Sequence, residues 1–258
     1  MCFDLDSRPP IAPITGGALD HADVRVTAAD GATFRSFMAR AAAPTGAGIV
    51  VLPDVRGLHP YYEELALRFA EAGVDAIAID YFGRTAPDDD RGEDFAFMEH
   101  VAQTRYATLA ADVAAAAAAL RTATGGRVTR LHAVGFCFGG RLSFDAATMG
   151  LELDGVVGFY GWPVGSTRSD VPAPADLTDR MAGRVLGLFG GGDPGIPPEA
   201  IATFEASLAA AAVPHELVTY AGAPHSFFDR KHAEYAADSA DAWTRVLAFL
   251  GDGGETAG

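Results

Sequence analysis

The 258-residue chain holds two cysteines, Cys2 and Cys137, a single lysine, Lys231, and no apolar run approaching the length of a membrane span. Each scarcity closes off a class of protein. Two cysteines cannot build a disulfide framework and suit a reducing compartment. The seven histidines are scattered, none at ligand spacing from another histidine or a cysteine, so neither a metal site nor a cofactor is expected. The N-terminus, MCFDLDSRPP, lacks the basic start and apolar stretch of a signal peptide. A cytoplasmic protein without a membrane partner is therefore expected. Basic residues are also in deficit, 19 against 34 acidic ones, and the formal charge of −15 argues against nucleic acid or an anionic membrane as partner. By the same token, an anionic substrate would need local arginines to overcome the global field. No Gly-, Ser- or Pro-rich linker divides the chain. One domain over residues 1–258 is expected, with an N-terminal extension at 1–20 and a disordered tail at 251–258; the oligomeric state is left open.

What is present is a rhythm of short, continuously apolar runs and helical stretches. Residues 22–28 and 33–40 alternate as two antiparallel strands joined by Ala29-Asp30-Gly31. From Gly48 onward, GIVVLP, VDAIAID, RLHAVGF, GVVGFYG, RVLGLFG and HELVTYA read as strands, with helices at 60–72, 104–123, 138–149, 197–212 and 232–250. Strands apolar at every position are covered on both faces, which predicts a mainly parallel sheet flanked by helices. The alanine tract 110–119 needs only a structural explanation, since alanine is the best helix former and lets a helix lie close to a sheet. The polar, proline-rich stretch 163–178 reads as a surface loop of the kind that caps active sites.

The most informative segment is His132–Arg141, HAVGFCFGGR. An apolar strand ends here, Gly135 and Gly139 bracket Cys137, and the run from Phe138 to Ala147 opens a helix. A strand turning directly into a helix forces the residue at the tip into a strained backbone conformation, and glycines on either side let neighbouring backbones pass. The helix N-terminus also favours a thiolate and a developing oxyanion. This is the nucleophile elbow of an α/β-hydrolase fold with sulfur in place of oxygen. On the pentapeptide alone, an inert buried cysteine is the alternative.

Two further residues complete a catalytic order. In that topology an acid follows a later strand and a histidine the next. Asp193 follows RVLGLFG in GGGDPGIP, and His225 follows HELVTYA in AGAPHSFFD. Taken singly, Asp193 could be a turn former and His225 a loop histidine; together with Cys137 they read as a Cys-His-Asp triad. The loop PDVRG after GIVVL sits where a second oxyanion-hole N–H is donated, which assigns the hole to the backbone N–H groups of Val55 and Phe138 and sets Asp54 beside the thiol. His59 follows that loop and has no settled role. Trp162 and Tyr81 lie near strand ends, where large residues line a pocket or, more often, fill the core.

LPDVRG, DYFGRTAP, GFCFGGR, the GGxD loop and PHSFFDR with Tyr235 together span nearly the whole chain, and their combination resembles the dienelactone hydrolase, or carboxymethylenebutenolidase, family. The resemblance implies hydrolysis of a conjugated enol-lactone by Cys137, His225 and Asp193, with Asp54 as the acid that takes the thiol proton, and with Arg84 and Arg230 holding a substrate carboxylate. The chain departs from the pattern twice. Asp54 stands where the best-known members have glutamate, and Arg230 lies one residue later than the usual arginine, with Asp229 in its place, where it would repel an anionic lactone.

Sulfur narrows the substrate. Thiolate leaves a tetrahedral intermediate more readily than an alkoxide does, so activated esters and lactones are expected to be preferred over alkyl esters and amides. The alternatives are an esterase or thioesterase acting on neutral activated esters, or a thiol redox sensor that hydrolyses nothing.

Overall fold

A computed structural model describes residues 6–251; Cys2 and the expected tail beyond Gly251 lie outside them. Eight strands form one sheet in the order β1-β2-β4-β3-β5-β6-β7-β8. They are β1 (Ala18–Thr27), β2 (Thr33–Ala41), β3 (Ala47–Leu52), β4 (Asp75–Ile79), β5 (Arg130–Phe136), β6 (Gly155–Phe159), β7 (Arg184–Gly190) and β8 (His215–Tyr220). The β1–β2 hairpin and the β2–β4 pair are antiparallel; from β4 to β8 every pairing is parallel. The hairpin turns at Asp30-Gly31, where Gly31 has φ 85° and the Asp30 carboxylate accepts the Ala32 N–H. Because β1 begins at Ala18, the N-terminal extension is shorter than the sequence suggests.

Among the described residues six α-helices cover the sheet: α1 (Pro60–Glu71), α2 (Phe97–Gln103), α3 (Tyr106–Ala123), α4 (Phe138–Ala146), α5 (Pro198–Ala210) and α6 (Ala236–Gly251). Proline at the start of α1 fits a position whose N–H would be unpaired anyway. The apolar residues Tyr61, Tyr62, Leu65, Ala66 and Phe69 then fall on one buried face of that helix. Every residue of β3, β4 and β6 is buried, as strands covered on both faces require. Each such Val, Ile or Leu contributes about 1.5–3 kcal/mol relative to exposure. None of the described helices is long and apolar enough to cross a membrane.

The chain order places the site. From β3 the chain runs to β4 on one side, then returns to β5 on the other, so the strand order reverses at β3 and β5. A crevice opens beyond the carboxyl ends of strands at such a reversal. Leu52, the last residue of β3, pairs with Gly135, one residue from the end of β5, so the loops after these strands, carrying Val55 and Cys137, emerge side by side. The ends of β7 and β8 are likewise paired, Gly190 with Tyr220, and this brings the Asp193 and His225 loops together.

Candidate active site

Cys137 sits between β5 and α4 with φ 56° and ψ −113°, a conformation that side chains rarely adopt. The strain is held by close backbone approaches that only glycine permits. A Cβ on Gly135 would stand 1.9 Å from the Gly139 carbonyl oxygen, and one on Gly139 would stand 2.2 Å from the oxygens of both Leu52 and Pro53. The second contact explains why the loop after β3 lies against the elbow. Cys137 donates its own N–H to Phe159 at 3.0 Å, which ties the elbow to β6 as well.

Nδ1 of His225 lies 2.6 Å from Oδ2 of Asp193. A carboxylate only accepts, so Nδ1 carries the hydrogen and Nε2 is left to take or give a proton. The other Asp193 oxygen accepts the Gly195 N–H at 2.8 Å. Burial works to raise the Asp193 pKa, but the hydrogen bond and charge of His225, with the N–H groups of Gly195 and Ile196, outweigh it and hold the carboxyl below the ordinary aspartate value. The glycines and proline of GGGDPGIP allow the tight loop that aims both oxygens.

Cys137, His225 and Asp193 all line one cavity of about 550 Å³. Val55 and Phe138, the two expected oxyanion donors, line it too. Phe138 is the first residue of α4, where backbone N–H groups have no partner within the helix. The remaining walls are mostly apolar: Met98 and Val101 from α2, Tyr160 and Trp162 after β6, and Ile196 after Asp193. Ser166, Thr167, Arg168 and the buried Arg141 line the cavity as well. Such a site suits a substrate with an apolar body and one electrophilic carbonyl. Of the five non-glycine residues with positive φ, Cys137 and Tyr160 line this cavity and Ser226 adjoins His225. Strain concentrated in this way is a mark of a functional site.

Asp54 has no exposure, and its Oδ1 accepts the Arg56 N–H at 2.9 Å. Its backbone is pinned from both sides, its N–H donating to the Tyr62 hydroxyl at 3.1 Å and its carbonyl reached by the Tyr81 hydroxyl at 2.6 Å. Tyr81 is thus a core residue that fixes the loop after β3, while Trp162, 46 % exposed, is the one that lines the cavity. His59 is buried at the head of α1, away from the cavity lining, with its pKa lowered to about 4 by burial and by the charges of Arg56 and Arg8.

Neither arginine expected to hold a carboxylate lines the cavity. Arg84 directs Nε and Nη2 to Asp112 and both terminal nitrogens to Asp30, at 2.7–3.1 Å, which ties α3 to the β1–β2 turn. Asp112 has no exposure, so the guanidinium is needed where it is. Arg230 is exposed. Asp229 does not face the substrate either, contrary to the sequence reading. It is fully buried, accepting the Tyr160 hydroxyl at 2.5 Å and the Arg230 N–H. Burial, with the charge of Asp54 adding to it, pushes its pKa up to about 7 against those hydrogen bonds, so near neutrality it carries only part of a charge. Its visible work is to hold Tyr160 in the cavity wall. Sequence reasoning missed α2, Tyr160 and Arg168; the only trace of α2 was the spacing of Phe97, Met98 and Val101.

Residues 34–253 match the model of the Dienelactone hydrolase family. A Salmonella typhimurium protein named "Putative carboxymethylenebutenolidase" is 32 % identical over 220 residues, covering 83 % of this chain and 81 % of the relative. One of the same name from Escherichia coli K12 is 31 % identical over 205 residues, covering 78 % and 75 %. Among solved structures, a "Putative Dienelactone Hydrolase" from Klebsiella pneumoniae superposes with a TM-score of 0.77 at 29 % identity, covering 90 % of this chain and 98 % of the other.

Proposed function

The chain belongs to the dienelactone hydrolase family, and is a carboxymethylenebutenolidase-like hydrolase of the α/β-hydrolase fold; from that premise we propose that it cleaves activated carboxylic esters or lactones through a Cys137–His225–Asp193 triad and a thioester intermediate. The observation that carries this reading is the convergence of the strained Cys137 and the hydrogen-bonded His225–Asp193 pair on one cavity.

The thiolate of Cys137 attacks the carbonyl carbon, forming the C–S bond as the carbonyl π electrons move onto oxygen. Backbone N–H groups of Val55 and Phe138 stabilise that oxyanion. Collapse breaks the C–O bond, and the leaving oxygen takes its proton from His225. Water then attacks the thioester while His225 removes a proton, and the acid product departs with thiolate restored. Asp193 keeps the imidazole in the required tautomer throughout. A free thiol has a pKa of about 8.5, so its ionisation needs help. The groups assigned to give it are the α4 N-terminus, His225 and the buried Asp54, whose carboxylate is assigned to take the thiol proton and relay it to Nε2 of His225, so that the imidazolium holds the proton the leaving oxygen takes.

The leaving group decides whether acylation proceeds, because thiolate is itself the better leaving group when the alternative is an alkoxide. The expected result is a kcat/KM for an enol-lactone or phenyl ester exceeding that for ethyl butyrate by about 10³-fold or more, with activity lost on stoichiometric iodoacetamide labelling. Comparable rates on the two substrates would contradict the mechanism. Labelling with no ester turnover to lose would favour the redox sensor.

The arginines separate into structural and functional roles by the same assay. Arg84→Ala is expected to cost about 3 kcal/mol of stability, the low end for a broken buried pair because Arg84 is itself partly exposed, since it leaves Asp112 buried without its cation. It should change KM for a carboxylated ester by less than about twofold, because Arg84 does not line the cavity. Arg230→Ala should be equally silent. A tenfold rise in KM for the carboxylated ester alone would restore the carboxylate-binding assignment.

A further inference from the structure

Arg141 lies one helical turn beyond Cys137, its N–H donating to the Cys137 carbonyl at 3.1 Å, and is only 1 % exposed. An arginine so buried ordinarily faces a carboxylate, but none of this guanidinium's bonds goes to one. Nε donates to Pro172 at 2.9 Å, Nη1 to Trp162 at 3.1 Å and Val164 at 3.3 Å, and Nη2 to Gly165 at 2.7 Å and Val171 at 3.1 Å. A guanidinium has five N–H donors, and here each meets a different backbone carbonyl. Three of the carbonyls lie where the segment 162–172 departs and two where it returns, so the side chain plugs the neck of a loop.

The tip of that loop carries Ser166, Thr167 and Arg168 to the cavity lining, which Arg141 itself joins, and its first residue, Trp162, forms part of the wall. The loop has support of its own, since Asp170 accepts the Tyr106 N–H at 2.6 Å and the Thr167 hydroxyl bonds to Ser169. Among the described residues, Arg141 is the side chain whose hydrogen bonds reach both ends of the segment. A proline-rich stretch with no regular structure has few backbone bonds to fix its path, and five carbonyls converging on one planar cation replace them.

We propose that Arg141 is a positioning residue for substrate selection: by gathering the carbonyls of 162–172 it fixes the wall formed by Trp162 and the loop tip, and so couples the nucleophile's helix to discrimination among substrates by size. This rests on the hydrolase reading above. A substrate too small to reach the wall gains nothing from it. A substrate with a bulky acyl group gains contact with the Trp162 face only if the loop is held in place. Lysine at 141 supplies three donors in place of five and no planar fork, so the charge survives and the neck loosens.

The test compares kcat/KM for p-nitrophenyl acetate with that for p-nitrophenyl phenylacetate. In Arg141→Lys the ratio favouring the phenylacetate is expected to fall at least fivefold, chiefly through KM for the larger ester. Trp162→Ala, an exposed position that leaves the buried helix untouched, is expected to lower the same ratio at least fivefold. The double variant should fall no further than Trp162→Ala alone, because both act through one wall. A smaller change in Trp162→Ala overturns the proposal whatever Arg141→Lys does, as does an Arg141→Lys loss equal for both esters. If the wild-type protein turns over neither ester, the hydrolase reading fails on its own, and amide hydrogen exchange still decides the clamp. Exchange across 164–171 should accelerate at least tenfold in Arg141→Lys, and unchanged exchange there overturns it.

Discussion

Replacing Cys137 by alanine is expected to lower kcat/KM for p-nitrophenyl acetate by about 10⁴-fold or more while leaving the fold intact. The size of the effect follows from the loss of the one thiol among the described residues that line the cavity; the hydroxyls of Ser166 and Thr167 line it too, but they lie on the loop after β6 and not at the strained turn between β5 and α4. Retention of the fold follows from what the thiol does locally, which is little. Cys137 precedes α4 without a side-chain capping bond, and alanine meets the same steric penalty at φ 56° as cysteine does. The stability change should therefore stay within about 1 kcal/mol. Cys137→Ser divides the question further. A serine hydroxyl depends wholly on His225 for its deprotonation, so slow turnover in that variant would report that the histidine is placed as a general base. Wild-type activity in Cys137→Ala would remove sulfur from the mechanism altogether.

Asp193→Asn is expected to have the next largest effect, a fall of about 10³–10⁴ in kcat with little change in KM. The carboxylate accepts at both oxygens, from His225 and from Gly195. Asparagine can present its NH₂ to Nδ1, which turns the imidazole to the wrong tautomer and leaves Nε2 protonated when a base is needed. The substitution also has a signature in stability. The Asp193 pKa is lower in the folded chain than in the unfolded one, where it is about 3.9. Its stabilising contribution is thus complete above that unfolded value and disappears as pH falls through the lower folded value. Thermal unfolding should show Asp193→Asn less stable than wild type at pH 7, with the deficit closing below about pH 4. Because Asp193 stays ionised throughout the range above that, any acid limb of activity above pH 5 belongs to another group. A stability deficit that widens on acidification would contradict the assignment.

Much of the fold, and the convergence of Cys137, Asp193 and His225 on one cavity, could be read from residue order because both depend on backbone chemistry. The apolar strands announced a sheet covered on both faces, and the glycines around Cys137 announced close backbone approaches that the GxCxG spacing alone requires. Asp193 and His225 were found because strand ends are marked by glycine and proline. What could not be read was the direction of long polar side chains. Arg84 and Arg141 look alike in sequence, each directly after a glycine, and Arg230 lies two residues after Phe228. Only packing sends Arg84 to two aspartates, Arg141 to five carbonyls and Arg230 to solvent. Asp229 is the same lesson with the sign reversed: its sequence position suggested repulsion of substrate, and tertiary packing turned it inward onto Tyr160. The short α2 escaped notice because its seven residues carry too little periodicity to separate it from a loop, although it supplies two residues of the cavity wall.

The central claim is that Cys137 carries the acyl group during turnover. The direct measurement is acid quenching of the enzyme during steady-state hydrolysis of a phenyl ester, followed by peptide mass spectrometry. The expected result is the acyl mass on the peptide containing Cys137, released by hydroxylamine at neutral pH as a thioester requires and absent from Cys137→Ala. An unmodified Cys137 in an enzyme turning over at full rate, or the acyl group on a different residue, would contradict it.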